Sequence, residues 1–225
     1  MVECWTPMVE RIVFATFKRG NRILAVTSPR PAAGVTSLCE QIARVTALTG
    51  SRTLLVDMTR QAEGTVPESV WQPCKGNAGQ SIVHDPQGFD RLTARFTPNE
   101  RFAFGNTDRL RQSFAEDLAS YEAVVVDARP VPTLETAYIN GAAAAAACDA
   151  TIVLCMAGRV ARSELAECQD ALANAQVNLL GVVLNEMQSP TLGAELAREA
   201  RRLHKVLPRF SKWLERKAMA NAFLN

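Results

Sequence analysis

RILAVTSPRPAAGVTSLCEQIARVTALTG, residues 22–50, decides how the rest of the chain is read. Its first part, Ile23–Ser28, is a short unbroken apolar run of the kind that forms a strand buried on both faces. Its last part, Val35–Thr49, carries apolar residues at helical spacing. Between them lies a loop of small residues and prolines that ends at Gly34, with Thr36 and Ser37 opening the helix. Such a layout binds phosphate. Backbone N–H groups at a helix N-terminus point at the anion, glycine permits close approach, a lysine bridges the phosphates, and the next hydroxyl meets magnesium. Gly34, Thr36 and Ser37 stand where that chemistry needs them, but Val35 holds the lysine position and Ala32 the position of a second glycine. Neither change removes the helix dipole. Both lower the expected affinity, because a charged contact is lost and a methyl group intrudes.

Working outward, four more apolar runs read as strands: Thr53–Met58, Ala123–Ala128, Ala150–Met156 and Leu179–Glu186. They lack polar alternation, as strands do when a sheet is covered on both faces. Helical patterns lie between them at Thr107–Ser120, Thr133–Cys148 and Arg162–Ala175, the second holding the alanine run 142–147. Alternating strands and helices imply an α/β fold: a doubly wound, mostly parallel sheet flanked by helices, with right-handed crossovers. Residues 61–106 are rich in Gly, Pro, Gln and Asn and have no firm period; QSIVHD and DRLTARF within them read as short strands or helical turns. Beyond residue 190 a helix is expected from about Leu192, broken at Pro208 and followed by a second helix. Arg198, Arg201, Arg202 and Lys205 are interleaved there with leucines.

The length of 225 residues suits one large domain, residues 1–225, with a core at about 20–187 and a basic helical extension at 190–225. The net charge of +2 implies no general attraction to nucleic acid, although the stretch from Pro190 onward has eight basic residues against three acidic ones. The extension is therefore a candidate for peripheral contact with an anionic membrane surface. Six scattered cysteines without a C-x-x-C pair or a nearby histidine read as buried thiols of a reducing cytosol. The first twenty residues are broken by Glu3, Pro7, Glu10 and Arg11, which excludes a signal-peptide pattern, and no apolar run is long enough to span a bilayer. The expected location is cytoplasmic, with the inner membrane as a peripheral surface.

Two carboxylates fall at strand ends, Asp57 after TLLV and Asp127 after AVVV. Ligands bind at that edge of a parallel sheet, and two carboxylates beside a phosphate loop would suit hydrated magnesium. The ordered set RILAVTSPRPAAGVTSL, SRTLLVDMTRQ, YEAVVVDARPVP and CDATIVLCMAGRVARSELAECQDALANAQVNLLGVVLNE resembles the cytoplasmic domain of bacterial tyrosine kinases. These belong to the MinD/ParA group of P-loop ATPases, and many act with polysaccharide co-polymerases in capsule and exopolysaccharide export. The likeness runs from about Arg22 to Glu186. It implies a P-loop NTPase-like fold, ATP or ADP with Mg2+ as cofactor, and a partner in a co-polymerase or glycosyltransferase complex at the inner membrane, with homo-oligomers as a further association.

By the same resemblance, Gly34, Val35, Thr36 and Ser37 line the nucleotide phosphates, and Asn185 lies near the adenine base. Thr36, Asp57 and Asp127 meet the metal, the two aspartates being the catalytic carboxylates. The MinD/ParA group carries a further lysine near the start of its loop that reaches a phosphate across a dimer; Arg30 holds that position here. Other positions depart from the pattern. Thr59 replaces the second aspartate of the acidic motif, and Glu10 is followed by Val13 and Thr16 where the kinases have arginines used in ring assembly. The tyrosine-rich tail is not seen, Tyr121 and Tyr138 being the tyrosines present. The expectation is a degenerate P-loop protein, a pseudo-kinase or pseudo-ATPase, that regulates or scaffolds exopolysaccharide biosynthesis or export. Two alternatives stand beside it. One is an active ATPase with Arg30 in place of the lysine, docking on membrane or a partner; the other, with less behind it, is a tyrosine kinase acting in trans.

Overall fold

A computed structural model of the chain describes residues 6–59, 71, 76–94, 107–133 and 139–186. The expected helices beyond residue 190, Tyr138, and most of the unread stretch 61–106 lie outside the described residues. The chain divides into two compact units, Met1–Cys155 with Val160–Asn185, and Met156–Arg159 with Glu186–Asn225. The elements below belong to the first unit, apart from the last residue of β6.

Helix α1 (Thr6–Thr16) leads through a 3-10 turn at Phe17–Arg19 into β1 (Ile23–Thr27). Helix α2 (Val35–Leu48) and strand β2 (Thr53–Asp57) follow, then a helical turn α3 (Ala78–Ser81) with the short strands β3 (Ile82–His84) and β4 (Asp90–Thr93). The chain continues through α4 (Thr107–Asp117), β5 (Ala123–Asp127), α5 (Gly141–Ala146), β6 (Ala150–Met156), α6 (Arg162–Asn174) and β7 (Leu179–Asn185). The strands form one sheet in the order β3-β4-β2-β5-β1-β6-β7. The pairs β4/β2, β2/β5, β5/β1 and β1/β6 are parallel, and β3 runs antiparallel on β4. The mostly parallel sheet with flanking helices is the expected one.

Alternation along the central strands sends successive side chains to opposite faces, so each unbroken apolar run serves two cores at once. Ile23, Ala25, Leu54, Val56, Val124 and Val126 face a core completed by Leu110 and Phe114 from α4, by Leu118 just after it and by alanines of α5. Leu24, Val26, Leu55, Val125, Ile152 and Leu154 face the other, closed by Val9, Ile12 and Val13 of α1 and Leu38, Cys39 and Ile42 of α2. Full burial of each Leu, Ile or Val stabilises the fold by about 1.5–3 kcal/mol relative to exposure. These runs therefore hold the middle of the sheet in register.

Two expectations change in detail. The helix read as Thr133–Cys148 begins among the described residues only at Gly141, because Asn140 caps it by accepting the Ala142 N–H at 2.9 Å. The two fragments left undecided are resolved: QSIVHD holds the end of α3 and strand β3, and DRLTARF begins with β4. β7 is more open than its apolar sequence implies, with Leu180, Val182 and Leu184 exposed.

Candidate functional site

The sheet order brings three strand ends side by side. β5 lies between β2 and β1, and its Asp127 pairs in register with Asp57 on one side and with Val26 on the other. The loop leaving β1 therefore emerges beside Asp127, with Asp57 one strand further on. A cavity of about 340 Å3 opens there, lined by the loop from Pro31 to Ser37 and by Ser28, Thr59 and the segment Asp127 to Pro130. A second cavity of about 310 Å3 shares Pro31, Arg129 and Pro130 with it and adds Arg30 and Glu164. A third cavity, about 520 Å3, lies elsewhere, between α1 and β7. Its lining is apolar except for Arg11, so no polar groups converge there on an anion.

The loop keeps a shape normally built with glycine. Gly34 precedes α2 with φ of +94°, and Ala32 also takes a left-handed φ of +59°. An L-residue in that region costs roughly 1–2 kcal/mol. The left-handed turn is thus made at Ala32 despite the methyl group. Gly34 is also confined in space, since a Cβ there would stand 3.1 Å from the Asn185 amide nitrogen. That amide donates to the Ala33 carbonyl at 2.9 Å, so Asn185, buried at the end of β7, braces the loop. This contact is with protein backbone and was not foreseen from the sequence.

At the opening of α2 the Thr36 hydroxyl donates to Asp127 Oδ2 at 2.6 Å, while Ser37 lines the cavity beside it. Asp127 is 1% exposed, and its Oδ1 is buried without a hydrogen-bond partner. Burial pushes its pKa up to about 7; the Thr36 hydrogen bond opposes that rise, and the negative charges of Asp57 and Glu40 add to it. Asp57 is engaged locally: its Oδ1 accepts from the Thr59 N–H at 2.9 Å and from the Thr59 hydroxyl at 2.7 Å. Beneath the loop, Cys39 is fully buried, and burial followed by the charges of Asp127 and Asp57 holds its thiol well above the usual range. It is an inert neighbour of the site rather than a nucleophile.

The positions at which the sequence differs from the phosphate-loop pattern can also be placed. Val35 lines the cavity and also packs against the α1/α2 core. Arg30 borders only the second cavity, with a side chain 53% exposed and its Nε 3.5 Å from Glu164 Oε1. Arg129, which the sequence did not single out, borders both cavities and donates from Nη1 to the Thr59 carbonyl at 3.2 Å. Its signal was present in the phrase VVVDARP, two residues beyond Asp127. No local rule distinguishes it there from a solvated loop charge.

Magnesium can be tested against these residues. Among the described residues no group of three or more His, Cys, Asp or Glu is placed to hold a metal ion. Mg2+ does not need one, because it is held by one or two carboxylates together with waters and phosphate oxygens. The orphaned Oδ1 of a buried carboxylate whose ionisation is disfavoured is what a cation would satisfy. The residues fit the ion.

No known protein-family profile matches the chain. Over 181 residues it is 23% identical to the tyrosine-protein kinase CpsD of Streptococcus agalactiae, covering 74% of this chain and 76% of that protein. The kinase domain of Escherichia coli tyrosine kinase ETK superposes with a TM-score of 0.62 at 23% identity, over 82% of this chain and 74% of that one. Cobyrinic acid a,c-diamide synthase from Mycobacterium smegmatis, solved with ADP and magnesium, matches with a TM-score of 0.57 at 22% identity, over 81% and 82%. The chain is homologous to bacterial tyrosine kinases and has the P-loop fold that their kinase domains share with MinD.

Proposed function

We propose that the chain is a P-loop protein that binds a magnesium nucleotide, turns it over poorly or not at all, and acts as a regulatory or scaffolding partner in exopolysaccharide biosynthesis or export. One observation carries the reading. A phosphate-binding frame is maintained at the cost of strain, with Ala32 left-handed and Thr36 held on Asp127, while the lysine position is filled by Val35 packed on the core. The frame supports binding; the missing cation argues against efficient phosphoryl transfer, where positioned charge is worth roughly 10²–10³ in rate.

Within this reading the N–H groups at the start of α2 and the hydroxyl of Ser37 receive the phosphates. Thr36 and Asp127 hold Mg2+, with Asp57 as an outer carboxylate held in place by Thr59. When bound, the ion supplies charge neutralisation of the phosphate oxygens. Asn185 keeps the loop in the shape that accepts them. The partner follows from the tyrosine-kinase relatives and the role such kinases have beside polysaccharide co-polymerases. The alternative of an active ATPase using Arg30 has less support, because Arg30 is half exposed and drawn toward Glu164.

Titration of the protein with ADP and ATP, with and without Mg2+, tests the reading. Binding that strengthens with Mg2+, together with negligible ATP hydrolysis, is expected. Hydrolysis that Asp127→Asn abolishes would overturn the non-catalytic part, and the absence of binding at millimolar nucleotide would overturn the whole. In the cell, unchanged polysaccharide output after deletion of the gene would remove the assigned partner.

A further inference from the structure

We infer that Arg129, and not Arg30, is the cation that holds phosphate in the loop cavity; this rests on reading that cavity as a nucleotide site. Among the described residues lining the cavity, Arg129 is the only cationic side chain. It stands where the loop cavity meets the neighbouring one, since both cavities share Arg129 with Pro31 and Pro130. An anion seated on the start of α2 therefore meets its positive charge from the far wall, formed by the segment after β5.

The placement of Arg129 is determined from several sides. Its carbonyl accepts the Thr27 hydroxyl at 2.7 Å, tying it to the end of β1. Gly141, the first residue of α5, packs so closely that a Cβ there would collide with the same carbonyl. On the side chain, Nη1 is anchored to the Thr59 carbonyl. A guanidinium offers five N–H donors in a rigid fork, so it can hold a backbone carbonyl and an anion together. Two departures seen in the sequence thereby acquire a common context. Thr59 at the second acidic position orients Asp57 with its hydroxyl and N–H and Arg129 with its carbonyl. Val35 leaves the near wall of the cavity without charge while Arg129 supplies it from the opposite wall. Arg30 lacks this geometry. It borders only the second cavity, and its ion-pair partner Glu164 is itself held at the start of α6, accepting the Ala161 N–H at 2.8 Å.

The test compares parent, Arg129→Ala, Arg129→Lys and Arg30→Ala by calorimetric titration with Mg-ADP and with inorganic pyrophosphate, at low and high salt. Arg129→Ala is expected to weaken both ligands by about 10–100-fold and to flatten their salt dependence, as loss of a charge-assisted contact does. Arg129→Lys should recover part of that loss. Thermal unfolding without ligand separates a phosphate contact from a structural one. A fall in melting temperature with unchanged pyrophosphate affinity would overturn the inference. So would a parent-like affinity in Arg129→Ala, or the larger loss appearing in Arg30→Ala, and in each case the nucleotide reading would survive. A parent that binds neither ligand would remove both.

Discussion

Val35 and Asp127 face one cavity with opposite consequences. Val35 contributes apolar area to the α1/α2 core and no charge to the cavity. A lysine there can keep its stem on the same apolar surface while the ammonium reaches out. Val35→Lys is expected to tighten Mg-ADP binding by about 10-fold or more at little cost in stability, which calorimetry and a thermal melt would show. Asp127 carries the reverse burden, a carboxylate kept in a place that disfavours its charge. Its folded pKa of about 7 lies above the unfolded value, so the folded state binds more protons between the two. The stability of the apoprotein therefore falls as pH rises from about 4 to about 7. Asp127→Asn should remove that slope. In urea melts without magnesium, the variant should exceed the parent by on the order of 2–4 kcal/mol at pH 8 and match it near pH 4. A parallel pH profile in the two proteins would contradict the burial argument.

The loop between β1 and α2 takes a backbone shape that one of its residues does not favour locally. The phosphate-loop outline was legible because strand, loop and helix are contiguous, and Ala32 was legible as the wrong residue. Its left-handed backbone was not, since local preference would turn an alanine the other way. The turn is imposed from outside, by the Asn185 amide on the Ala33 carbonyl and by the Thr36 contact with Asp127. Ala32→Gly should relieve this strain, offset in part by the larger unfolded-state entropy of glycine. The expected gain is about 0.5–1 kcal/mol in unfolding free energy, with nucleotide affinity kept or improved. A loss of stability would mean that the alanine methyl group makes a contact worth more than the strain. α5 shows a related point, because its alanine run announced a helix while its beginning was set by the Asn140 cap.

At the scale of the whole molecule, the sheet joins segments that the sequence presents as unequal. The apolar runs of β1, β2, β5, β6 and β7 were all legible, being short, β-rich and separated by helical patterns. The stretch 61–106 was not, and yet it holds a core anchor in Trp71. That indole is fully buried, donates to Asp117 Oδ2 at 2.8 Å, and stacks on Phe114 with ring centroids 6.2 Å apart. Trp71→Ala is expected to cost about 3–5 kcal/mol in chemical denaturation, which a surface position would not. By itself the sequence determined the fold class, the positions of five of the seven strands and the strand–loop–helix outline at residues 22–50, because burial periodicity and turn chemistry act over a few residues. Tertiary structure alone decided that Thr36 meets Asp127 across 91 positions and that Asn185 braces Ala33 across 152. It also decided which arginine lines the loop cavity. Strand order and register fix those encounters, and neither is written in any local window of the chain.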